Sequence, residues 1–275
     1  MPELPEVETV KNELLPYVIG RLITGITLFW EGIVRYPSPE EFCSNVIGRR
    51  ITGINRRGKY LIFSLSDGTD VLIIHLKMTG SLIVGKNSSE PPKFTRATIH
   101  LDNDTDIFFR DPRKFGVMRL VADKESIIGK LGPEPLEDDF TVDVLAQRLA
   151  NRTAPMKALL CEQSVIAGIG SMYADEALYA TGIHPLRMGK SLSREEIERL
   201  YDAIRRILPA AIENKGASVD TYFRPDGTKG TAHFEFKVAH CKGKECPECG
   251  TPIERIVVRG RGSYFCPRCQ IIKPC

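Results

Sequence analysis

Three groups of residues have the types and spacing that chemistry needs. The first is the leading decapeptide, MPELPEVETV. Removal of the initiator methionine, which a following proline permits, leaves Pro2 with a free secondary amine of ordinary pKa about 8. Glu3 adjoins it, and Glu6 and Glu8 follow. A neutral amine beside a carboxylate is a nucleophile beside a proton carrier, the pairing that covalent catalysis requires. The same letters also suit a plain helix start, with Pro5 in the first turn and the acids complementing the macrodipole.

The second group is CPEC (246–249) and CPRC (266–269), separated by sixteen residues. Each CxxC turns tightly enough to present two thiolates to one tetrahedral ion, so Cys246, Cys249, Cys266 and Cys269 are the expected ligands of one structural zinc. The shell is then closed, with no position left for catalysis. Redox CxxC chemistry is the minor alternative. The intervening IERIVVRGRGSYF reads as two strands around an RGRG turn, with Arg261 near its tip and suited to reaching a phosphate. Cys241 and Cys275 fall outside this spacing. Cys43 and Cys161, alone in the first 240 residues, read as ordinary reduced thiols.

The third group places cations beside apolar or aromatic residues. RRGKYL (56–61) puts Lys59 after a glycine turn. IHLKMTG (74–80) ends a strand with His75, Lys77 and Met78. FFRDPRKFGVM (108–118) interleaves Arg110, Arg113 and Lys114 with Phe109 and Phe115. Each alone reads as packing and solvated charge. Together they fit a groove that neutralises phosphates and inserts a wedge between bases. In QSVIAGIGSMYADEAL, Gly168 and Gly170 form a tight turn feeding a helix that begins near Ser171, whose free N–H groups suit an anion.

The elements that must position these groups follow from pattern. Val7, Val10 and Leu14 recur at helical spacing over 6–16. From Arg21 to Val121, short β-branched and aromatic runs broken by turn residues predict a β-sandwich, with LIFSL and VLIIHL paired as a hairpin across SDGTD. KLGPEPLEDD (130–139) reads as a linker. Beyond it the texture is helical, and Ser193 with Glu196 forms a capping box for EEIERLYDAIRRILPAAIENK. Ile197, Leu200, Ile204 and Ile207 form its apolar stripe, and Pro209 is expected to kink or interrupt it.

Bulk composition is permissive rather than decisive. The 275 residues suffice for two domains, and 42% hydrophobic content with mixed charge predicts a folded globular chain. The net charge of +3 is too small to imply nucleic acid by itself. Its distribution is more telling: from Cys241 onward seven Lys/Arg stand against three Glu. No run of about 18 apolar residues suggests a membrane span, and the N-terminus lacks a signal peptide's pattern, so a cytoplasmic location is expected.

MPELPEVETV, RRGKYL, HLKMTG, DPRKFG, the turns around AGIGSMYADEAL, and the terminal CxxC…GRGSYFCPRCQ together resemble bacterial formamidopyrimidine-DNA glycosylase from residue 2 to residue 270. The resemblance implies an α+β chain. An N-terminal β-sandwich catalytic domain with flanking helices (1–130) precedes a linker (131–140). A helix-two-turn-helix DNA-binding domain with a lesion loop (141–235) and a zinc finger (236–275) complete it. It implies a bifunctional glycosylase and abasic-site lyase of base-excision repair, acting on 8-oxoguanine and formamidopyrimidines in duplex DNA; a monomer is the simplest expectation for a clamp around DNA.

By the same resemblance Pro2 is the nucleophile at C1′, passing through an iminium ion to β,δ-elimination. Glu3 is the general acid/base, Lys59 supports the reaction at phosphate or sugar, and Glu6 orders the site. His75 and Arg261 hold phosphates, Arg261 also aiding the later elimination. Met78, Arg113 and Phe115 fill the void left by the everted nucleotide. Ser218 and Tyr222 lie in the loop that closes over its base. Ser171 replaces the family's usual phosphate-contacting asparagine, where it can still cap the helix and donate a hydrogen bond at shorter reach.

Two alternatives stand beside this reading. An endonuclease VIII-like glycosylase prefers oxidised pyrimidines, but typically begins PEGPE and lacks the Arg113…Phe115 pattern. A non-catalytic DNA-binding protein would use only the zinc hairpin and basic groove, leaving Pro2, Glu3 and Lys59 without purpose.

Overall fold

A computed structural model describes residues 1–219 and 221–272; Lys273 of the basic tail and Cys275 lie outside them. The chain forms two compact units, Met1–Lys130 with Asn214–His233, and Leu131–Glu213 with Phe234–Cys275. Three features of the expected division look different here: the segment 214–233, assigned from sequence to the helical domain, packs with the first unit, and the linker (131–140) and the zinc finger (236–275) are both part of the second.

The first unit is a β-sandwich with helices at its flanks. One sheet runs in the order β1 (Ile23–Leu28), β7 (Thr95–Leu101), β8 (Thr105–Arg110), β6 (Ser81–Lys86). The other runs β2 (Val34–Tyr36), β9 (Val117–Val121), β5 (Val71–His75), β4 (Tyr60–Leu65), β3 (Ile51–Arg57). All neighbours are antiparallel except β2 and β9. The expected hairpin is β4–β5, pairing Leu61 with Ile74 and Phe63 with Leu72. Alternation sends Leu61, Phe63 and Leu65 of β4, with Ala97, Ile99 and Leu101 of β7, into one core. Helix α1 (Leu4–Val18) lies on β3, β4 and β6. It buries Val7, Val10 and Leu14 completely, at the spacing expected. Two short helices, α2 (Pro39–Val46) and α3 (Glu125–Ile128), complete this unit.

The second unit combines α4 (Val142–Leu149), α5 (Met156–Leu160), α6 (Ser171–Ala180) and α7 (Arg194–Glu213) with the hairpin β10 (Glu254–Val258) and β11 (Arg261–Phe265). Between α5 and α6 the chain turns twice, braced by Gln163. Its side-chain amide donates to the Ile169 carbonyl at 2.8 Å, and its oxygen accepts from Gly168 N–H at 3.0 Å. The capping box of α7 is present: Glu196 accepts from Ser193 N–H at 3.0 Å, and Ser193 Oγ accepts from Glu196 N–H at 3.3 Å.

Of the kink or interruption expected at Pro209, the interruption does not occur: α7 runs unbroken for 20 residues. Pro209 is exposed, so the ring and the carbonyl it displaces can face water. Meanwhile Ile197, Leu200, Ile204 and Leu208 stay buried on the opposite stripe. Leu208 takes the buried place expected of Ile207, which is only half-buried. That packing outweighs a proline cost of about 3 kcal/mol.

Candidate active site and nucleic-acid interface

The head of α1 is built around Glu6. This carboxylate is fully buried; its Oε2 accepts from Glu3 N–H at 2.7 Å and its Oε1 from Ala217 N–H at 2.7 Å. Glu3 is the N-cap residue, and Pro2 precedes it in a buried position, while Met1 is about half exposed. Glu6 therefore does what a helix-capping acid does and also ties the start of the chain to residue 217. A Cβ at Gly216 would lie 2.9 Å from Glu6 Cγ, and this glycine has φ +76°. Only glycine fits there.

Lys59 is buried on the turn after Gly58, whose φ is +55°. Arg56, part of RRGKYL but given no role from sequence, holds that turn. Arg56 donates from Nε to Glu8 of α1 at 2.7 Å and from Nη1 to the Gly58 carbonyl at 3.2 Å. Burial pushes the Glu8 carboxyl up, but Lys11 and Arg56 more than offset it and hold the group below its ordinary value.

Across the β4–β5 ladder, Tyr60 pairs with His75, and their rings meet edge to face at 4.5 Å. Burial, with the charges of Lys77, Lys59 and Arg119, pushes the His75 imidazole down to about 3. Its Nδ1 accepts from Lys77 N–H at 2.9 Å. The neutral ring therefore carries its proton on Nε2, and is a hydrogen-bond donor without being a cation.

Met78, Arg113 and Phe115 come together from two loops. The Arg113 guanidinium lies 4.7 Å from the centroid of the Phe115 ring, and its Nη1 is 3.5 Å from Met78 Sδ. Both Met78 and Phe115 are exposed large apolar groups. Asp111 makes this protrusion possible. It is completely buried and accepts from Phe115 N–H at 2.7 Å, Gly116 N–H at 2.6 Å, Arg113 N–H at 3.2 Å and the Thr79 hydroxyl. One carboxylate thus sets both loops. The Asp-Pro pair at 111–112 was the available signal, since it marks turn initiation.

Ser218 and Tyr222 are placed inward. Tyr222 joins the sandwich core and reaches the Glu6 carbonyl at 3.4 Å; Ser218 Oγ donates to the Tyr222 carbonyl at 2.9 Å and accepts from Gly230 N–H at 2.9 Å. The side chains of both are engaged by the protein itself. These contacts also explain why 214–233 folds with the first unit.

In the second unit, the N-cap of α6 is Gly170, not Ser171. The Ser171 hydroxyl donates to the Gly262 carbonyl of β11 at 2.9 Å, so its one proton is committed within the protein. Arg261 begins β11, exposed, directly after a two-residue turn in which Arg259 and Gly260 both have positive φ, 45° and 76°. This is the twist a tight hairpin demands. The sulfurs of Cys246, Cys249, Cys266 and Cys269 all lie within 4.8 Å of one another. Cys246 and Cys269 are 3.8 Å apart and Cys249 and Cys266 3.5 Å apart. Four thiolates about 2.3 Å from a tetrahedral ion stand close to 3.8 Å from one another, so the cage fits zinc. Cys241 takes no part in it.

Comparison with known proteins agrees with this geometry. The N-terminal domain model of formamidopyrimidine-DNA glycosylase matches residues 1–118, its H2TH domain model 131–222, and a zinc finger found in FPG and IleRS 243–271. The formamidopyrimidine-DNA glycosylase of Chloroflexus aurantiacus is 47% identical over 98% of both chains. The chain belongs to the formamidopyrimidine-DNA glycosylase family. Among solved structures, the MutM (FPG) protein of Thermus thermophilus is 40% identical with a TM-score of 0.89 over 98% of both chains. Lactococcus lactis Fpg, solved with DNA containing an abasic site or an N7-benzyl-Fapy-dG, is 36% identical with a TM-score of 0.91 over 98% of this chain and 99% of that one.

Family membership and the four-thiol cage together assign one structural zinc to this formamidopyrimidine-DNA glycosylase family member. Among the described residues, no helix is long and apolar enough to cross a membrane. The α+β architecture is that of the family.

Proposed function

We propose that this chain is a bifunctional DNA glycosylase and abasic-site lyase that removes oxidised purines, 8-oxoguanine and formamidopyrimidines, from duplex DNA. The observation that carries the reading is the doubly accepting Glu6 carboxylate, which fixes Glu3 and the head of α1 against Ala217. Such a chain start is held far more firmly than an ordinary terminus, as a positioned nucleophile requires.

Once Met1 is removed, the Pro2 amine attacks C1′ of the everted nucleotide. The glycosidic bond breaks and the base leaves with the bonding pair, protonated on departure. Glu3 moves protons between the base, the sugar and water. Opening of the sugar gives an iminium ion, since a secondary amine that has formed one new bond to carbon can form a cationic double bond. That cation withdraws electrons, so a 2′ proton is lost and the 3′ phosphate departs; the 5′ phosphate follows by δ-elimination. Water then frees Pro2.

Lys59 supports the reaction at sugar or phosphate, and Glu6 keeps the head of the helix in place. His75 donates Nε2–H to a phosphate, and Arg261 binds another and aids the later elimination. Eversion costs a few kcal/mol in unstacking. Met78, Arg113 and Phe115 offset it by filling the void. Ser171 contributes through its backbone at the start of α6 and through β11. The loop carrying Ser218 and Tyr222 stands over the everted base. The relatives solved with abasic and Fapy-dG DNA support this substrate class. The enzyme works in the cytoplasm as a monomer.

Borohydride reduction on an 8-oxoguanine duplex, followed by peptide mapping, tests the chemistry. The trapped adduct is expected on Pro2. An adduct on Lys59 alone, or none from protein that still cuts, defeats the assignment.

A further inference from the structure

The second unit holds a buried charged cluster for which the chemistry above has no use. Lys157 of α5 is fully buried and Asp175 of α6 is 2% exposed at the side chain. Lys157 Nζ lies 2.6 Å from Asp175 Oδ1 and donates to the Ser171 carbonyl at 2.6 Å. Ser263, also fully buried, donates from Oγ to Asp175 Oδ1 at 2.7 Å. Alongside it runs the Ser171 hydroxyl to the Gly262 carbonyl at 2.9 Å.

Every bond in the cluster ends on the first turns of α6 or on the three residues that follow Arg261, the Tyr264 N–H also donating to Asp175. Burying an ion pair is costly, and well-packed apolar groups of similar volume are often as stable or more so. What charge and hydroxyls add is a defined register. The hairpin needs one, because a two-stranded ribbon alone is marginally stable in water and the zinc sits at its other end.

We propose that Asp175 is a positioning residue. Held by Lys157, it fixes Ser263 and, with the Ser171–Gly262 bond, sets where Arg261 stands relative to the start of α6, so that the guanidinium meets a DNA phosphate without searching. This rests on the reading of Arg261 as a phosphate ligand. It also recasts Ser171 as part of the lock rather than as a direct DNA contact.

The test uses the full-length zinc-loaded protein and a duplex bearing a non-cleavable tetrahydrofuran site, with affinity measured against salt concentration. One lost phosphate contact flattens the slope of log K against log salt by about 0.9, so the native advantage shrinks about 3.5-fold between 50 and 200 mM. Arg261→Ala is expected to show this loss. Ser263→Ala and Asp175→Asn are expected to show most of it at native zinc content. The double variant R261A/S263A is expected to bind no worse than R261A. A merely structural role for Ser263 would lower the melting temperature and leave the slope alone.

Native slopes in S263A and D175N beside a flattened R261A overturn the proposal, as does a double variant that loses the sum of both. A native slope in R261A itself overturns the phosphate reading, and this inference with it. Should Asp175→Asn fail to fold, Ser263→Ala decides alone, since it removes one hydroxyl and no charge.

Discussion

The buried carboxylate of Asp111 accepts the backbone N–H of Phe115 at 2.7 Å, and with its other oxygen it binds the Thr79 hydroxyl beside Met78. The proposed wedge, an apolar rod, a planar cation and a ring, is thereby carried by one acid that never reaches the surface. Asp111→Asn puts an NH2 group where an acceptor meets backbone N–H groups. An unsatisfied buried donor costs about 1–3 kcal/mol, so thermal unfolding should begin several degrees lower. Excision of 8-oxoguanine, measured in single turnover, should fall about tenfold or more, since a misplaced wedge no longer offsets unstacking. Unchanged excision would separate Asp111 from the wedge.

Glu6→Gln leaves one of two backbone N–H groups, Glu3 or Ala217, facing an amide donor. The expected loss is again about 1–3 kcal/mol by denaturant titration, and the yield of borohydride-trapped adduct should fall with it. A variant that traps as fast as the native protein would show that the tie between α1 and residue 217 is dispensable to the nucleophile.

His75 gives a signed pH dependence. Its folded value, about 3, lies below the ordinary 6.5. Between those values the unfolded chain binds the extra proton, so stability rises with pH across the window and is lost as pH falls through it. The shift corresponds to at most about 5 kcal/mol. Nitrogen NMR should find a neutral ring protonated on Nε2 throughout pH 5–8, and His75→Gln should flatten the acid limb of the stability curve over that window. A His75 that titrates near 6.5 would overturn this account.

Removal of the metal should disable one function and spare the other unit's core. The zinc module has only a small core of its own: Val238, Cys246, Ile253 and Cys266 gather around Tyr179 of α6. One zinc per chain is expected by elemental analysis. Cys249→Ala should lower zinc content and abolish duplex binding, while circular dichroism retains the sandwich's strand signal. Full duplex affinity in zinc-free protein would contradict the role given to the hairpin.

Much was readable before any fold was known, because some constraints are local along the chain. CPEC and CPRC need only a short turn each to bring two sulfurs together. Val7, Val10 and Leu14 declare a buried helical face by spacing alone, and Ser193 with Glu196 declares where α7 begins. Pro2, Glu3, Lys59, His75 and the wedge residues were legible as a set chiefly through resemblance to a family. Taken singly, a lysine after a glycine or an arginine before a phenylalanine is indistinguishable from solvated charge.

What the tertiary structure decided is who holds those residues in place. Asp111 joins loops more than thirty positions apart, Arg56 ties a turn to α1, and Asp175 meets a serine 88 positions further on. Tyr222 carries its loop into the sandwich, and Ser171 gives its proton to β11 instead of to solvent. Such partnerships leave no periodic trace, since a buried carboxylate needs only donors within about 3 Å, and which donors those are depends on how distant segments pack.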